Sequence, residues 1–314
     1  MQILTLDDIK SRIDLPQIIA AQEEGFQAFS ERKVVVPPVG YIEIPHVPVR
    51  CHIKYGVING DDVFVIKYAG GRQRSEEFGE ATFNGMMMVF DAKTAEPLYM
   101  LQDQGYLTQL RTAVAGLISA KYLAPKSVEA IGIIGTATQA RLQLEILKEL
   151  YDCRKVYVWG RTPDAVQQYQ SEMEAKGYEV IAASTAADVA KNCNLIVTTT
   201  SAREALLNAE DIQAGTHITA MGADAPGKQE LDPAIIGRAD FVVTDSLEQC
   251  IDHGELHHAF NAKMIGMEYC TELGRIIADP TSGRQNDQQI TVADLTGVAI
   301  QDIQIAKSIV NFMP

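Results

Sequence analysis

The sequence predicts an α/β fold, a doubly wound parallel sheet beside a smaller α+β domain, on three observations. From residue 128 onward, short apolar runs alternate with helix-period patterns, the rhythm of a parallel sheet with crossover helices. At the head of that region, Val128 to Ile134 is a mainly apolar run, broken only by Glu129, of the kind buried on both faces. Before it, strand-like runs are separated by turn signals, which predicts a largely antiparallel first domain.

In chain order, a helix is expected from Leu15-Pro16 to about Arg32, with Pro16 tolerated in its first turn. Ile18, Ile19, Gln22, Phe26 and Phe29 make its inward stripe. Strands are expected at 40–44, 50–58, 62–68, 86–91 and 97–101. The turns between them read as Asn59-Gly-Asp-Asp62, Ala69-Gly-Gly71 and Ala92-Lys-Thr-Ala95. A helix from 107 to 123 carries Arg111 and then the small residues Ala113, Ala115 and Gly116. Further strands are placed at 155–159, 178–183, 194–199, 217–221 and 241–244, with helices such as 163–175 between most of them. The final stretch, Thr296 to Val310, reads as an apolar-faced helix returning to the first domain. Residues 1–120 with 297–314 are therefore expected to form one domain and residues 121–296 the other.

Composition narrows the function. Hydrophobic content of 46% with 22% charged residues describes an ordinary globular chain. Lys+Arg 27 against Asp+Glu 41 leaves a net charge of −14, which argues against nucleic acid or an anionic membrane as partner. No apolar run approaches the about 20 residues that span a bilayer, and Met-Gln-Ile-Leu-Thr-Leu-Asp-Asp does not read as a signal peptide. Cys51, Cys153, Cys193, Cys250 and Cys270 lack C-x-x-C spacing, and free thiols in a reducing cytoplasm is the simplest reading.

The stretch Ala130-Ile-Gly-Ile-Ile-Gly-Thr-Ala-Thr-Gln-Ala140 organises the second domain. Gly135 allows a tight turn, and Ala140 is small enough for a helix to start close against the strand. Backbone N–H groups at such a helix start favour an anion, so the unit suits a dinucleotide pyrophosphate. Against G-x-G-x-x-G/A it reads Gly135-x-Ala137-x-x-Ala140, with alanine for the middle glycine. The next strand ends Val158-Trp-Gly-Arg-Thr162, with no acid to meet a ribose hydroxyl until Asp164. Arg161 and Thr162 suit a 2′-phosphate instead, which favours NADP(H) over NAD(H); a solvated surface arginine is the other reading.

Two further residues are placed for chemistry. Lys67 lies in Val63-Phe-Val-Ile-Lys-Tyr68, where a buried ammonium needs a partner and shifts its pKa; a lysine snorkelling from a strand end is the alternative. Asp224 follows a central strand, and ligands of open α/β sheets bind beyond such carboxyl ends. It is placed for proton transfer, although Asp-Ala-Pro-Gly is also good turn chemistry. His253 and His257 flank Glu255 in an order that is not His-Glu-x-x-His, and no metal is expected.

Together these residues resemble the ornithine cyclodeaminase/mu-crystallin family. The resemblance rests on Leu110-Arg-Thr-Ala-Val-Ala-Gly116, Ile133 to Leu144, Met221 to Leu231 and Thr296-Gly-Val-Ala-Ile-Gln-Asp302. It implies a Rossmann-type dinucleotide domain and a substrate-binding domain that also forms a homodimer. It assigns Arg50, Lys67 and Arg111 to the substrate carboxylate, with Lys67 also a catalytic candidate, and Asp224 to acid/base catalysis. Gly135, Thr136, Ala137, Thr138 and Gln139 match the pyrophosphate loop. Thr199, Thr200 and Ser201 line the nicotinamide side, and Thr296 and Gly297 join the cofactor contacts.

The chemistry implied is redox at a carbon–nitrogen bond of an amino or cyclic imino acid. Family members include ornithine cyclodeaminases forming proline and ammonia, alanine dehydrogenases, pyrroline-2-carboxylate reductases, hydroxyproline dehydratases and non-catalytic NADPH-dependent ligand binders. The chain departs from its relatives at Ala137, in the loop after Lys67 (69–77), and at Val292-Ala-Asp-Leu295, where the resemblance implies loops that touch the substrate side chain. Asp61, Asp62, Glu76 and Glu77 are candidates to receive a substrate amine, or are solvated loop acids.

Overall fold

The computed structural model describes residues 1–72, 77, 79 and 82–312. It divides into two compact units, one of residues 1–112 with 298–314 and one of residues 113–297.

The first unit opens with β1 (Gln2–Leu4), α1 (Leu6–Lys10) and α2 (Leu15–Ser30). Thr5 and Asp8 form a capping box on α1, and Asp14 caps α2, with Pro16 in its first turn. Then come β2 (Val34–Val35), β3 (Gly40–Glu43), β4 (Val49–Ile58), β5 (Val63–Arg72), β6 (Asn84–Asp91) and β7 (Pro97–Leu101), and the helix α3 (Tyr106–Leu123) begins in this unit and continues into the second. The sheet order is β1-β7-β6-β5-β4-β2, with β3 also paired to β4. Among the described residues these strands pair antiparallel except β1 with β7. Gly60 makes the β4–β5 turn at φ +93°.

One expected turn is overturned. Ala69-Gly70-Gly71 lies inside β5, paired in register with Arg50 to His52. A Cβ on Gly70 would lie 2.6 Å from that of Cys51, so the glycine serves close cross-strand approach rather than chain reversal.

The second unit contains an eight-stranded sheet, parallel throughout. Its elements are β8 (Ile131–Ile134), α4 (Thr138–Leu147), β9 (Lys155–Trp159), α5 (Pro163–Glu174), β10 (Glu179–Ala182), α6 (Ala186–Asn192) and β11 (Leu195–Thr198). They continue with β12 (Arg203–Leu207), β13 (His217–Ala220), β14 (Gln229–Leu231), α7 (Pro233–Arg238), β15 (Phe241–Thr244), α8 (Leu247–His253) and α9 (Glu255–Asn261). The last are β16 (Cys270–Glu272), α10 (Leu273–Ala278) and β17 (Thr291–Asp294). The order β10-β9-β8-β11-β13-β17-β15-β16 reverses direction at β8 and β11, the switch point at which doubly wound sheets bind ligands. The short strands β12 and β14 pair apart from this sheet.

Strand β17 takes in Val292 to Asp294, so the expected loop is strand up to Leu295. It is a wholly buried central strand, hydrogen-bonded between β13 and β15. The run is four residues long and polar at both ends, so it carries little local strand signal. Its partners, distant in sequence, supply the pairing.

The last helix, α11 (Ala299–Val310), returns to the first unit and packs on α2, β4 and β5. Every residue of it is buried, including Gln301, Asp302, Gln304 and Lys307. Among the described residues no helix is long and apolar enough to cross a membrane. All five cysteines are free thiols.

Candidate functional site

The first unit gathers cations on the inner face of its sheet. Residues opposite one another in a ladder share a face, and Arg50, His52 and Lys54 of β4 stand opposite Gly71, Ala69 and Lys67 of β5. Lys67 is 2% exposed, so it is buried at mid-strand rather than snorkelling from a strand end. Its Nζ lies 3.5 Å from Asp302 Oδ2. Arg111 Nε donates to Asp302 Oδ1 at 3.0 Å, and its Nη1 donates to Gln301 Oε1 at 3.0 Å. Gln301 also holds the Arg111 carbonyl through Nε2 at 3.2 Å, so α11 and α3 are joined at this point.

These buried charges act strongly on one another. Burial opposes ionisation of Asp302, but Arg111, Lys67 and Lys54 outweigh it and hold its carboxyl below the ordinary range. Burial pushes the Lys67 pKa down, Asp302 opposes that, and the Arg111 charge adds to it. Asp103, which caps α3 by accepting the Leu107 N–H at 2.8 Å, has its carboxyl raised by burial. Arg111, Lys67 and Lys54 thus surround the Asp302 carboxylate, and a ligand carboxylate would find cationic partners there. Sequence reasoning missed Lys54 and Asp302. The alternation Arg50, His52, Lys54 and the acid Asp302 within the buried α11 were the available signals.

Arg50 is farther out, one-third exposed and bonded through Nε and Nη2 to Glu43 Oε1 at 3.1 and 2.9 Å. It shares the face of Lys67 but is held at the rim by its β3 neighbour. Of the proposed amine-binding acids, Asp61 is paired with Lys307 at 2.6 Å and Asp62 with Lys93 at 2.8 Å. Glu77 is exposed, and Glu76 lies outside the described residues.

In the second unit, Gly135 leaves β8 at φ +120°, and a Cβ there would lie 2.6 Å from Thr199 Oγ1. Ala137 is the N-cap of α4 at φ −89°, a conformation open to any L-residue, so alanine in place of the middle glycine needs no strained backbone. It places no side-chain acceptor on the leading N–H groups of the ten-residue α4. Ala137 and Thr138 are exposed, Thr136 and Gln139 half-buried. These features fit a dinucleotide pyrophosphate, which would complete that helix end. Arg141 donates to the Thr136 carbonyl and to Glu172 Oε2 and lies over the Tyr169 ring, bracing the loop from below.

Arg161 is exposed and has no hydrogen-bond or ion-pair partner among the described residues. It follows Gly160, where a Cβ would meet Thr136 Cγ2 at 2.7 Å, so it stands beside the loop after β8. Thr162 is the exposed N-cap of α5, and its side chain makes no capping bond.

Beyond β11, Thr199 donates its N–H to the Ile134 carbonyl at 2.9 Å, and Ser201 is exposed. Asp224 is half-exposed and bonded to Lys228 Nζ at 2.5 Å, in a turn that uses Gly227 at φ +75°. Thr296 and Gly297 are tied to Asp245, at 3.1 Å from the hydroxyl and 2.5 Å from the backbone N–H. Among the described residues no group of three or more His, Cys, Asp or Glu is arranged to hold a metal. His257 uses both ring nitrogens, on the Ile251 carbonyl and on Asn261.

Comparison with known proteins identifies relatives of the chain. The chain is 36% identical over 311 residues to the alanine dehydrogenase of Archaeoglobus fulgidus, covering 97% of this chain and 92% of that one. Its fold superposes with a TM-score of 0.90 on an archaeal alanine dehydrogenase dimer with bound NAD, at 33% identity over 99% of this chain and 95% of that chain. It superposes with a TM-score of 0.91 on the Thermococcus litoralis Δ1-pyrroline-2-carboxylate reductase in complex with NADH and L-proline, at 26% identity over 99% and 97%. Residues 1–313 match the model of one family, and the chain belongs to that family, ornithine cyclodeaminase/mu-crystallin.

Proposed function

We propose that the chain is an NAD(P)(H)-dependent oxidoreductase that interconverts a small amino acid, open-chain or cyclic, with its imine. The observation that carries this reading is the buried cluster of Lys67 and Arg111 around Asp302, which suits a substrate carboxylate, in a chain whose α4 starts uncapped after the glycine turn that follows β8. When bound, the nicotinamide exchanges a hydride with the carbon of the C–N bond. Lys67 and Arg111 hold the carboxylate, Arg50 closes the rim, and Asp224 gives the proton to nitrogen in reduction and removes it in oxidation. The loop Gly135 to Gln139 carries the pyrophosphate. Thr199 to Ser201, with Thr296 and Gly297, carry the nicotinamide end, and Arg161 with Thr162 favours NADP(H).

Net oxidoreduction is preferred over cyclodeaminase chemistry because Asp61 and Asp62, two candidates to receive a side-chain amine, are engaged by Lys307 and Lys93. Asp224 speaks against a non-catalytic binder, which needs no proton-transfer group. The reading is tested with L-alanine plus NAD⁺ or NADP⁺, pyrroline-2-carboxylate plus NADH or NADPH, L-ornithine and hydroxyproline. A change in nicotinamide absorbance with either of the first pairs supports it. Ammonia from ornithine without net absorbance change would establish the cyclodeaminase instead, and loss of hydroxyproline without absorbance change the dehydratase.

The outer face of the first unit's sheet supports a homodimer. Cross-strand pairs Tyr55–Ile66, Ile66–Met88 and Tyr68–Met86 leave it apolar, with Phe64 stacked on Phe90 at 4.8 Å. Tyr55, Tyr68 and Met86 are each more than one-third exposed, and a second copy would cover them. Free cysteines suit the cytoplasm.

A further inference from the structure

Glu230 lies on β14, outside the main sheet, and is fully buried. Its Oε2 accepts from Thr198 Oγ1 at 2.6 Å and from the Gly222 N–H at 2.8 Å, and its Oε1 accepts from the Thr200 N–H at 2.6 Å. One carboxylate therefore ties the loop after β11 to the loop after β13. Gly222 must be glycine for this, because a Cβ there would collide with the Thr200 carbonyl and the Glu230 carboxylate.

Glu230 is itself held from behind. Glu255, at the start of α9, accepts the backbone N–H groups of Glu230 and Leu231 at 2.7 and 3.0 Å. Asp294, at the end of β17, accepts the Leu256 N–H at 2.9 Å. Each acid fixes the backbone that carries the next, from a central strand outward to the two loops. An irregular loop end has no ladder of its own to set its position, so these bonds stand in for one.

We propose that Glu230 is a positioning residue that sets the spacing between Thr199–Ser201 and Gly222–Asp224, the segments assigned to the nicotinamide and to proton transfer. The inference rests on that assignment. It requires Glu230 to govern the nicotinamide half of the cofactor and turnover, while the loop after β8 holds the ADP half independently.

The test compares binding of ADP-ribose, NADH and NADPH with turnover in Glu230→Gln. This variant keeps the volume but turns an amide toward donors that need an acceptor. Loss of two hydrogen bonds to this buried acceptor corresponds to about ten- to hundredfold. Turnover and binding of the reduced nucleotide should fall by that range, with ADP-ribose affinity within about twofold of wild type. Equal weakening of ADP-ribose and reduced nucleotide would reduce Glu230 to a general structural residue and overturn the proposal, as would unchanged turnover. Thr198→Val removes one donor at constant shape and serves if Glu230→Gln does not fold. It should show the same split at about two- to tenfold, and no split would overturn the proposal. Wild-type protein that binds none of the three nucleotides would overturn the dinucleotide assignment itself, an outcome separable from any behaviour of the variants.

Discussion

Arg111 Nε donates to Asp302 Oδ1 at 3.0 Å, and both side chains are buried. The bond joins a helix from the first half of the chain to its last helix, and the same carboxylate faces Lys67 from its other oxygen at 3.5 Å. A carboxylate with one partner on each oxygen keeps two cations apart yet close enough to serve one ligand.

Asp302→Asn would leave Arg111, Lys67 and Lys54 without their common counter-charge. Removing one member of a buried ion pair costs about 3–5 kcal/mol, so urea denaturation should show a loss of that order. Acetate or formate should stabilise both proteins, the variant by more than wild type. A loss under about 1 kcal/mol, the worth of a surface pair, would mean that solvent already screens the cluster.

Asp224→Asn keeps the size and turn chemistry but cannot accept a proton. Turnover should fall by roughly 10²–10⁴, with folding and nucleotide binding retained. Lys67→Met removes a cation from the carboxylate cluster, so its loss should include a raised KM, while Asp224→Asn acts on kcat. Full activity in Asp224→Asn would remove the acid/base assignment.

Arg161 is exposed and unpaired among the described residues, so its replacement disturbs no internal bond. Arg161→Ala should weaken NADPH by about ten- to hundredfold and leave NADH nearly unchanged. Equal effects on both nucleotides would assign the discrimination elsewhere.

Stability should carry two opposing pH dependences in the second unit. His217 is fully buried against Ser119, Thr219 and Thr291, and burial with the nearby Arg284 charge pushes its pKa down to about 3. The unfolded imidazole therefore protonates first, and stability present above about pH 6.5 is lost on acidification. Asp294 has the opposite sign. Burial, aided by the Asp245 charge and opposed by the Leu256 N–H, raises its carboxyl to about 7, so the folded state takes up the proton first and gains stability as pH falls below 7. Asp294→Asn keeps an acceptor for Leu256 and removes only the second dependence. Between pH 7 and 5 the variant should lose about 2 kcal/mol more stability than wild type. Parallel curves from denaturation at each pH would show that Asp294 does not titrate there.

Much of this protein was legible without coordinates, because the signals involved are local. The β8 run is apolar at every position, and a glycine with positive φ followed by a helix start is written in six consecutive residues. Lys67 announced itself as a charge inside an apolar strand. The same local reading misassigned Ala69-Gly-Gly71, since a glycine that admits a turn also admits a close neighbouring strand. Only the β4 register tells the two apart.

What the tertiary structure alone decided is which distant groups meet. Strand β17 exists because β13 and β15 bond it from either side, which no window around Val292 contains. Asp302 reaches Arg111 across 191 positions of chain, and Glu230 becomes a cross-link only when the ends of β11 and β13 lie side by side. Periodicity and turn chemistry act between near neighbours in sequence. Pairing of buried charges acts through space, so its partners were settled only when the chain closed on itself.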